Sequence, residues 1–371
     1  MLSRLVARDF RNFEQLDVTL PDAGIVIIGE NGQGKTNLLE AVAYLSLLRS
    51  VRGARDADVI RFGASVFHVR GDVRSPAGSH GGPALVSIGY ERGTKRKRAS
   101  LDGVEQSRLT AALGAVPSVC FSPADVSLVA GGPGERRRYL DVALALSSRS
   151  YLVALQQFRA ALVRRNAALR IAQRDGARAT SSHDDCVSVW EPALAEHGAV
   201  VTELRQRFVE GHAERFTQLA AAIGEQAPVT MKYLASAENG TRASFERAYA
   251  AQRALEMRRG TTLIGPHRDE LQLLLGGRDL RVFGSAGQQR SAAIALRLLE
   301  LATLRDAVHA TPLLLLDDPF AELDARRAAR VLSLLEETGV GQVLLAVPRV
   351  EDIPEAFTRL ERRQMHGGVL S

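Results

Sequence analysis

Cysteine and long apolar runs are both scarce in this chain. The 371 residues include 2 cysteines, Cys120 and Cys186, and neither lies in a C-x-x-C or Cys/His spacing. A disulfide framework is therefore excluded and a zinc site is not expected, which fits a reducing compartment. No apolar stretch approaches the roughly 18 residues of a membrane-spanning helix, and the first residues do not resemble a signal peptide. The sequence predicts a cytoplasmic protein that does not associate with membranes.

Lysine is the other rare residue. It occurs only at Lys35, Lys95, Lys97 and Lys232, although lysine and arginine together number 48. Arginine therefore supplies nearly all of the positive charge, and the excess over 42 acidic residues gives a net charge of +6. This excess favours polyanionic partners, whereas the preference for arginine also fits codon usage in a GC-rich genome. A content of 46% hydrophobic and 24% charged residues indicates a folded globular protein.

One of the four lysines belongs to the clearest motif in the chain. The apolar run Ile25 to Ile28 predicts a buried strand, which leads into a G-x-x-x-x-G-K-T sequence and then a helical pattern from Asn37 to Leu48. Strand, glycine-rich loop and helix in this order are the context of a P-loop rather than of a plain glycine-rich turn. The predicted nucleotide-binding residues are Gly29, Glu30, Asn31, Gly32, Gln33, Gly34, Lys35, Thr36 and Asn37.

The residue types of this loop suit a nucleoside triphosphate. Its glycines let the backbone turn with N–H groups pointing inward at phosphate oxygens, and the helix N-terminus adds partial positive charge. Lys35 is expected to reach the β- and γ-phosphates, and the Thr36 hydroxyl is expected to ligate Mg²⁺. The sequence therefore predicts ATP and Mg²⁺ as the ligands of this loop.

A second motif follows far along the chain. Four leucines, Leu313 to Leu316, precede Asp317 and Asp318. A buried strand that ends in two carboxylates is typical of a Walker B site, which lies beside the phosphates. Asp317 is expected to hold Mg²⁺, and Asp318 is the predicted catalytic residue that orients or activates the attacking water.

Two further motifs resemble parts of ABC-type ATPases. The Gly284 to Gln288 sequence is close to the Leu-Ser-Gly-Gly-Gln signature, whose Ser285, Gly287 and Gln288 would act on the nucleotide of a partner subunit. Ala321 to Asp324 resembles the D-loop, with Asp324 as its acidic residue. The order of the four motifs predicts an ABC-type head that forms an ATP-dependent homodimer.

The pattern along the chain predicts an α/β fold with an inserted helical second lobe. The expected divisions are an ATP-binding lobe in 1–119, a helical lobe with the signature in 120–304, and the rest of the ATP-binding lobe in 305–371. Polar segments at 75–83 and 174–183 read as loops. Heptads do not continue for three or four repeats, so a long coiled coil is not expected.

The motifs together resemble the RecF family of bacterial DNA replication and repair proteins. The likeness covers nearly the whole chain, and the Gly265-Pro-His-Arg-Asp269 corner is its most specific part. The other matching stretches are Arg49 to Arg52, Phe121 to Asp125, Gly134 to Asp141, Arg165-Asn166, Ser285 to Arg290 and Leu314 to Asp318.

This resemblance implies an ATP-gated dimer that binds double-stranded DNA, single-stranded DNA or their junctions and hydrolyses ATP slowly. It also implies work with RecR and RecO to load RecA at gaps, in recombinational repair and the SOS response. Some positions depart from broader ABC patterns. Asp318 stands where a Glu is usual, no switch His follows Val347, and Phe121-Ser-Pro123 occupies the place of the Q-loop Gln.

The sequence leaves several alternatives open. The basic Arg49 to Arg52 and Lys95 to Arg98 stretches suit phosphate contact, but equally a solvated helix end and a charged edge strand. A metabolic P-loop kinase would need neither signature nor D-loop and would stay monomeric with ATP. A GTPase would carry an Asn-Lys-x-Asp motif, which is absent, and an SMC-type tether needs a long coiled coil. A DNA clamp with an inactive ATPase would carry the same motifs and would differ from an active ATPase only in its failure to hydrolyse ATP.

Overall fold

The structure is a computed structural model that describes residues 1–74, 82–176, 181–308, 311–321, 323–339 and 341–371. The polar loops predicted at 75–83 and 174–183 lie partly outside these residues, and Glu322 of the predicted D-loop lies outside them. The second loop is shorter than predicted, because residues 174 and 175 end one helix and residues 181–183 begin the next.

Strands dominate the first part of the chain and return at its end. The strands are β1 (Leu2–Phe10), β2 (Phe13–Thr19), β3 (Gly24–Ile28), β4 (Val66–Val73), β5 (Leu85–Glu91), β6 (Arg96–Leu101), β7 (Val104–Glu105), β8 (Ser118–Phe121), β9 (Val229–Leu234), β10 (Glu270–Leu275), β11 (Arg278–Asp279), β12 (Leu313–Asp317), β13 (Val343–Val347), β14 (Glu361–His366) and β15 (Val369–Leu370). The helices are α1 (Lys35–Leu47), α2 (Asp56–Val59), α3 (Ser127–Ala130), α4 (Pro133–Ser147), α5 (Arg149–Asp175), α6 (Ser181–Ser188), α7 (Glu191–Ile223), α8 (Arg242–Arg259), α9 (Leu280–Phe283), α10 (Ala286–Val308) and α11 (Ala325–Glu337).

The chain divides into two compact units. The first contains Met1–Asp125 and Leu296–Ser371, and the second contains Val126–Ala295. The sequence placed these divisions at 119/120 and 304/305, so the boundaries differ by a few residues. The difference arises because β8 pairs with β12 in a sheet of the first unit. Arg297 of α10 also forms an ion pair at 2.6 Å with Asp125, and both residues belong to that unit.

Two sheets form the first unit, and α1 packs against strands of both. One is an antiparallel sheet in the order β2-β1-β4-β5-β6-β7, and the other has the order β15-β14-β3-β13-β12-β8. The apolar core between them includes Phe10, Tyr44 and Phe67, whose rings meet edge to face at 5.2–5.9 Å. Such contacts add to the area that these rings bury and hold α1 in place.

The parallel strands of the second sheet have their carboxyl ends at the same edge of the sheet. β3, β13, β12 and β8 run parallel in adjacent positions, and every residue of β3 is buried. Ala346 of β13 lies opposite Asp317 on one side and Ile27 on the other. The loops that follow β3 and β12 therefore leave the sheet at the same edge, where ligands of open α/β sheets bind.

The second unit is mainly helical. The long helices α5, with 27 residues, and α7, with 33, pack against each other and against α8. A small sheet in the order β11-β10-β9 completes the unit. β9 interrupts the region that the sequence predicted as a helical lobe, because Val229–Leu234 pairs with β10, which is distant in the chain. None of the helices within the described residues is long and apolar enough to cross a membrane.

Candidate functional site

The glycine-rich loop leaves β3 and turns directly into α1. Gly34 precedes the helix with a φ of 118°, which favours glycine, and no side chain caps the first turn. The backbone N–H groups at this helix end are thus left for another acceptor. A Cβ on Gly34 would lie 2.7 Å from Asn12 Nδ2, and one on Gly29 would lie 2.4 Å from the Met365 carbonyl oxygen. Gly29 is required by its close approach to the Met365 backbone, and Gly34 is required by its left-handed conformation.

Lys35 is enclosed by its own loop. Its ammonium group donates to the carbonyl oxygens of Gly29 and Glu30, the latter at 2.9 Å, and the residue is 8% exposed. Burial lowers the pKa of Lys35, while Asp317 and Asp318 oppose this shift. The sequence suggested a side chain exposed to a ligand, but here the ammonium group is hydrogen-bonded to the loop carbonyls. A phosphate would have to replace these acceptors.

Thr36 and Asp317 connect the two motifs. The Thr36 hydroxyl donates to Asp317 Oδ1 at 3.0 Å, although the residues are 281 positions apart. Burial raises the pKa of Asp317, whereas the Thr36 hydrogen bond and the Lys35 charge lower it. Adjacent ligands of an octahedral Mg²⁺, each about 2.1 Å from the ion, are roughly 3.0 Å apart. The spacing of the two oxygens thus fits a pair of Mg²⁺ ligands.

Asp318 directly follows the end of β12 in an unusual conformation. Its φ is 46°, and its backbone N–H donates to the Ala346 carbonyl oxygen at 2.9 Å. Aspartate tolerates this left-handed region better than most residues, but a cost remains. The bond to β13 fixes the turn, so Asp318 is held next to Asp317 at the edge where β12 ends.

Asn12 is a functional candidate that the sequence analysis missed. It lies in the turn between β1 and β2, where its Nδ2 donates to the Gln33 carbonyl oxygen at 3.2 Å and its Oδ1 accepts from Asn37 at 2.8 Å. Gln33 also accepts from the backbone N–H groups of Gly367 and Gly368. These contacts brace the P-loop from two sides. The available signal was a polar Arg-Asn pair between two phenylalanines at a strand turn.

Arg11 contributes to the same brace. Its guanidinium donates to both carboxylate oxygens of Glu40 at 2.8 Å, and Glu40 is 1% exposed on α1. Ser50 Oγ also donates to Glu40, and Arg52 donates to Asn37 Oδ1 at 3.3 Å. The Arg49 to Arg52 stretch is therefore attached to the P-loop helix. Arg52 nevertheless keeps a side chain that is 54% exposed.

A groove of about 910 Å³ opens beside these residues. Its lining combines cationic, amide and apolar side chains, namely Arg11, Asn12, Asn37, Arg52, Ala57, Asp58, Ile60, Phe62, Gly63 and Arg92. Because Asn12 and Asn37 belong to the P-loop brace, the groove adjoins the loop. Mixed polar and apolar walls of this kind suit a nucleoside.

The Lys95 to Arg98 stretch is largely tied to its own unit. Lys97 donates to the Leu48 carbonyl oxygen at 2.8 Å, pairs with Asp56 at 2.7 Å and lies over the Tyr44 ring. Arg96 and Arg98 approach Glu105 across the β6–β7 hairpin at 3.8 and 3.6 Å. Lys97 therefore fits neither the phosphate-contact nor the edge-strand interpretation, because β6 lies between β5 and β7 and the Lys97 side chain is an internal support of α1.

The predicted signature forms a capping box in the second unit. Ser285 Oγ accepts from the Gln288 N–H at 3.3 Å, and Gln288 Oε1 accepts from the Ser285 N–H at 2.9 Å. This reciprocal pair starts α10 and orients both side chains. The Ser285 side chain is exposed, and its hydroxyl proton is not used in this pair. Gly287 lies within the first turn of α10.

Asp324 of the predicted D-loop has a local role as well. It caps α11 by accepting from the Arg327 N–H at 2.9 Å. A capping aspartate fixes the entry into the helix and stabilises it by about 1 kcal/mol.

The Phe121-Ser-Pro123 stretch, expected in the place of a Q-loop, lies at the end of β8. Phe121 lies opposite Leu316, so Ser122 follows on the strand next to Asp317.

The Gly265 to Asp269 corner is a hydrogen-bonding centre of the second unit. Asp269 is 1% exposed and accepts from Tyr233, Thr202 and the Ser236 N–H. Arg205, buried on α7, donates to the Pro266 carbonyl oxygen at 2.7 Å. Burial lowers the pKa of His267 to about 4, which leaves it neutral near pH 7. The corner thus joins β9, β10 and α7.

Comparison with known proteins agrees with the motifs. The family model described as RecF/RecN/SMC N terminal domain matches residues 1–365. The DNA replication and repair protein RecF of Halalkalibacterium halodurans is 35% identical over 343 residues, 90% of each chain. A structure of the recombination mediator protein RecF with ATP has a TM-score of 0.87 at 28% identity, covering 100% of this chain and 96% of that one.

The fold extends to more distant proteins. An Smc head domain from Pyrococcus furiosus has a TM-score of 0.53 at 17% identity and covers 100% of this chain and 95% of that one, which shows a shared fold. The predicted α/β fold of an ABC-type head is therefore confirmed. With a family model over nearly its full length and a relative above 30% identity, the chain belongs to the RecF family.

Proposed function

We propose that this chain is an ATP-dependent DNA-binding protein of DNA replication and recombinational repair. The observation that carries the proposal is the 3.0 Å contact between Thr36 and Asp317, which joins the P-loop to the Walker B strand. Relatives named as DNA replication and repair proteins and a RecF structure with ATP support it. ATP is the proposed ligand, and Gly29 to Asn37 form its phosphate cradle.

Mg²⁺ is the proposed cation of this site. Thr36 Oγ1 and Asp317 Oδ1 would hold it, and phosphate and water oxygens would complete its shell, as is usual for this ion. The described residues contain no cluster of three or more His, Cys, Asp and Glu that would bind a metal by themselves. When bound, the cation would neutralise charge on the phosphate oxygens. Asp318 would orient water beside it.

The groove beside the P-loop suggests a position for the ribose and the base of ATP. The groove of Arg11, Asn37 and Arg52 adjoins the loop, so we place the ribose and base there. Ser285 of a second copy would approach the γ-phosphate with its hydroxyl proton, while Gly287 and Gln288 shape the helix end. This arrangement makes ATP part of the interface of a homodimer. Asp324 would act from the D-loop at the same interface.

The biological role that we propose follows the family. The dimer would bind double-stranded DNA, single-stranded DNA and their junctions, hydrolyse ATP slowly, and act with RecR and RecO to load RecA at gaps. The RecF structure with ATP is that of a recombination mediator protein in the RecFOR pathway, which supports this role. A metabolic kinase is disfavoured because a signature that starts a helix would have no use in a monomer.

Replacing each of the two carboxylates by its amide tests the site. Asp317→Asn should weaken Mg²⁺-dependent ATP binding by roughly tenfold or more, since the cation loses a charged ligand. Asp318→Asn should leave ATP affinity unchanged and slow hydrolysis by about 100-fold. Asparagine also tolerates the left-handed backbone at Asp318. ATP titrations with and without Mg²⁺, followed by single-turnover hydrolysis, measure both effects. Equal losses of ATP affinity would contradict the separate roles.

DNA binding should depend mainly on electrostatics. Affinity should decrease log-linearly with salt, by about 100-fold between roughly 50 and 200 mM for about four phosphate contacts. It should depend little on base sequence and increase with ATP, because the dimer presents two basic surfaces. Fluorescence anisotropy with several duplexes, single strands and gapped substrates measures this. A flat salt response with one preferred sequence would contradict it.

A further inference from the structure

Phe62 is held in an exposed position by a rigid turn. Its exposed fraction is 99%. The Ala64 N–H donates to the Arg61 carbonyl oxygen at 3.0 Å, and Gly63 has a φ of 85°, which together define a type II turn. Arg61 is fixed by an ion pair with Asp9 at 2.7 Å. The ring is therefore presented to solvent by a fixed backbone, at the wall of the groove beside the P-loop.

A second exposed apolar pair lies immediately before the signature. Val282 and Phe283 are 67% and 63% exposed at the end of α9, whereas Leu280 of the same helix is fully buried. The Gly284 N–H donates to the Leu280 carbonyl oxygen at 3.0 Å, and the Gln289 side chain donates to the Arg281 carbonyl oxygen at 3.1 Å. Leu280 and Gln289 thus fix the direction in which the pair points.

We propose that Val282 and Phe283 of one copy pack against Phe62 of a second copy in the ATP-bound dimer. This contact rests on the proposed function, which brings Ser285 of one copy to the P-loop of the other. Phe283 precedes Ser285 by two residues, which span at most about 7 Å of chain. It therefore arrives close to the wall of the groove that adjoins the same P-loop. Each aromatic ring would be buried in the dimer, whereas it is exposed in the single chain.

The charges around the two surfaces explain why this contact would need ATP. Arg281 is exposed beside Phe283, and the groove near Phe62 carries three arginines, Arg11, Arg52 and Arg92, against one carboxylate, Asp58. Two cationic surfaces repel each other at short range. A bound triphosphate supplies the missing negative charge between them, after which the apolar pair can close. The occupant of this apolar surface is therefore a second copy of the chain with its nucleotide, and twofold symmetry forms the contact twice.

Placing opposite charges on the two sides of the contact tests the proposal. Phe283→Arg would face a cationic groove, and Phe62→Glu would remove the apolar partner. Each single variant should raise the dimer dissociation constant at saturating ATP by about 10- to 100-fold, because two copies of the contact are lost. The double variant should return to within about threefold of wild type, since every Phe62–Phe283 contact becomes a Glu–Arg pair. Analytical ultracentrifugation measures the dissociation constants.

Controls separate this contact from the proposed function. ATP affinity is measured first for each variant, so that dimerisation is compared at full nucleotide occupancy. Val163→Arg changes a valine on α5 that is 65% exposed and should dimerise as wild type does. If wild-type chains dimerise with ATP but the single variants dimerise equally well, only the proposed contact is overturned. A double variant as defective as the singles would also overturn it. Wild-type chains that remain monomeric with ATP would overturn the proposed function.

Discussion

Replacing Lys35 by Met is expected to abolish ATP-dependent dimerisation while leaving the chain folded. Methionine keeps most of the side-chain volume but provides no charge for the β- and γ-phosphates, so ATP affinity should fall by at least about 100-fold. The unfolding temperature should change little. The carbonyl oxygens that Lys35 now contacts belong to Gly29 and to solvent-exposed Glu30, so water can replace the ammonium group there. ATP titration and light scattering with ATP measure the two losses.

Lys97→Met is the matched control. Lys97 is also mostly enclosed, with a side chain 14% exposed, but it contacts Asp56, Leu48 and Tyr44 instead of the P-loop. Its removal should lower stability by about 1–3 kcal/mol, because a carboxylate and a carbonyl lose a charged donor, and ATP affinity should stay near wild type. A Lys35→Met protein that dimerises on ATP at wild-type concentrations would refute the P-loop assignment.

Ser285→Arg should block dimerisation and leave ATP binding to the monomer nearly normal. The P-loop is unchanged, but a large cation would fill the position proposed for the partner's γ-phosphate. Hydrolysis should fall below about 1% of wild type, because only the closed dimer would hold water in line. The substitution also removes the capping bond to Gln288, which costs about 1 kcal/mol. Ser285→Thr keeps that cap and should retain most of the dimerisation.

Mixing two inactive chains tests whether the site is shared. In a heterodimer of Lys35→Met and Ser285→Arg chains, one composite site carries both changes and the other carries neither. Partial hydrolysis should therefore return in the mixture, up to about half of wild type if one intact site suffices. If the mixture does not associate on ATP, both sites must close together. Normal dimerisation and hydrolysis by Ser285→Arg alone would disprove the assignment of this motif.

The sequence determined the parts of the site that are local in the chain. Gly29 to Thr36 specify their own turn, since glycine is needed at the left-handed positions Gly32 and Gly34, and an apolar run before them specifies a buried strand. The Ser285 to Gln288 motif likewise contains both halves of its capping box. These features depend on residues that are close together in the chain, so the local sequence is enough to determine them.

The tertiary structure decided which distant groups meet. Thr36 reaches Asp317 because β3 and β12 flank β13 in register, and that register depends on hydrogen bonds between strands far apart in sequence. The brace of Asn12 on Gln33 and Asn37, and the burial of Lys97 instead of its display to a polyanion, arise in the same way. No local pattern encodes them, because a side chain's partners follow from how the elements pack and not from its neighbours in the chain.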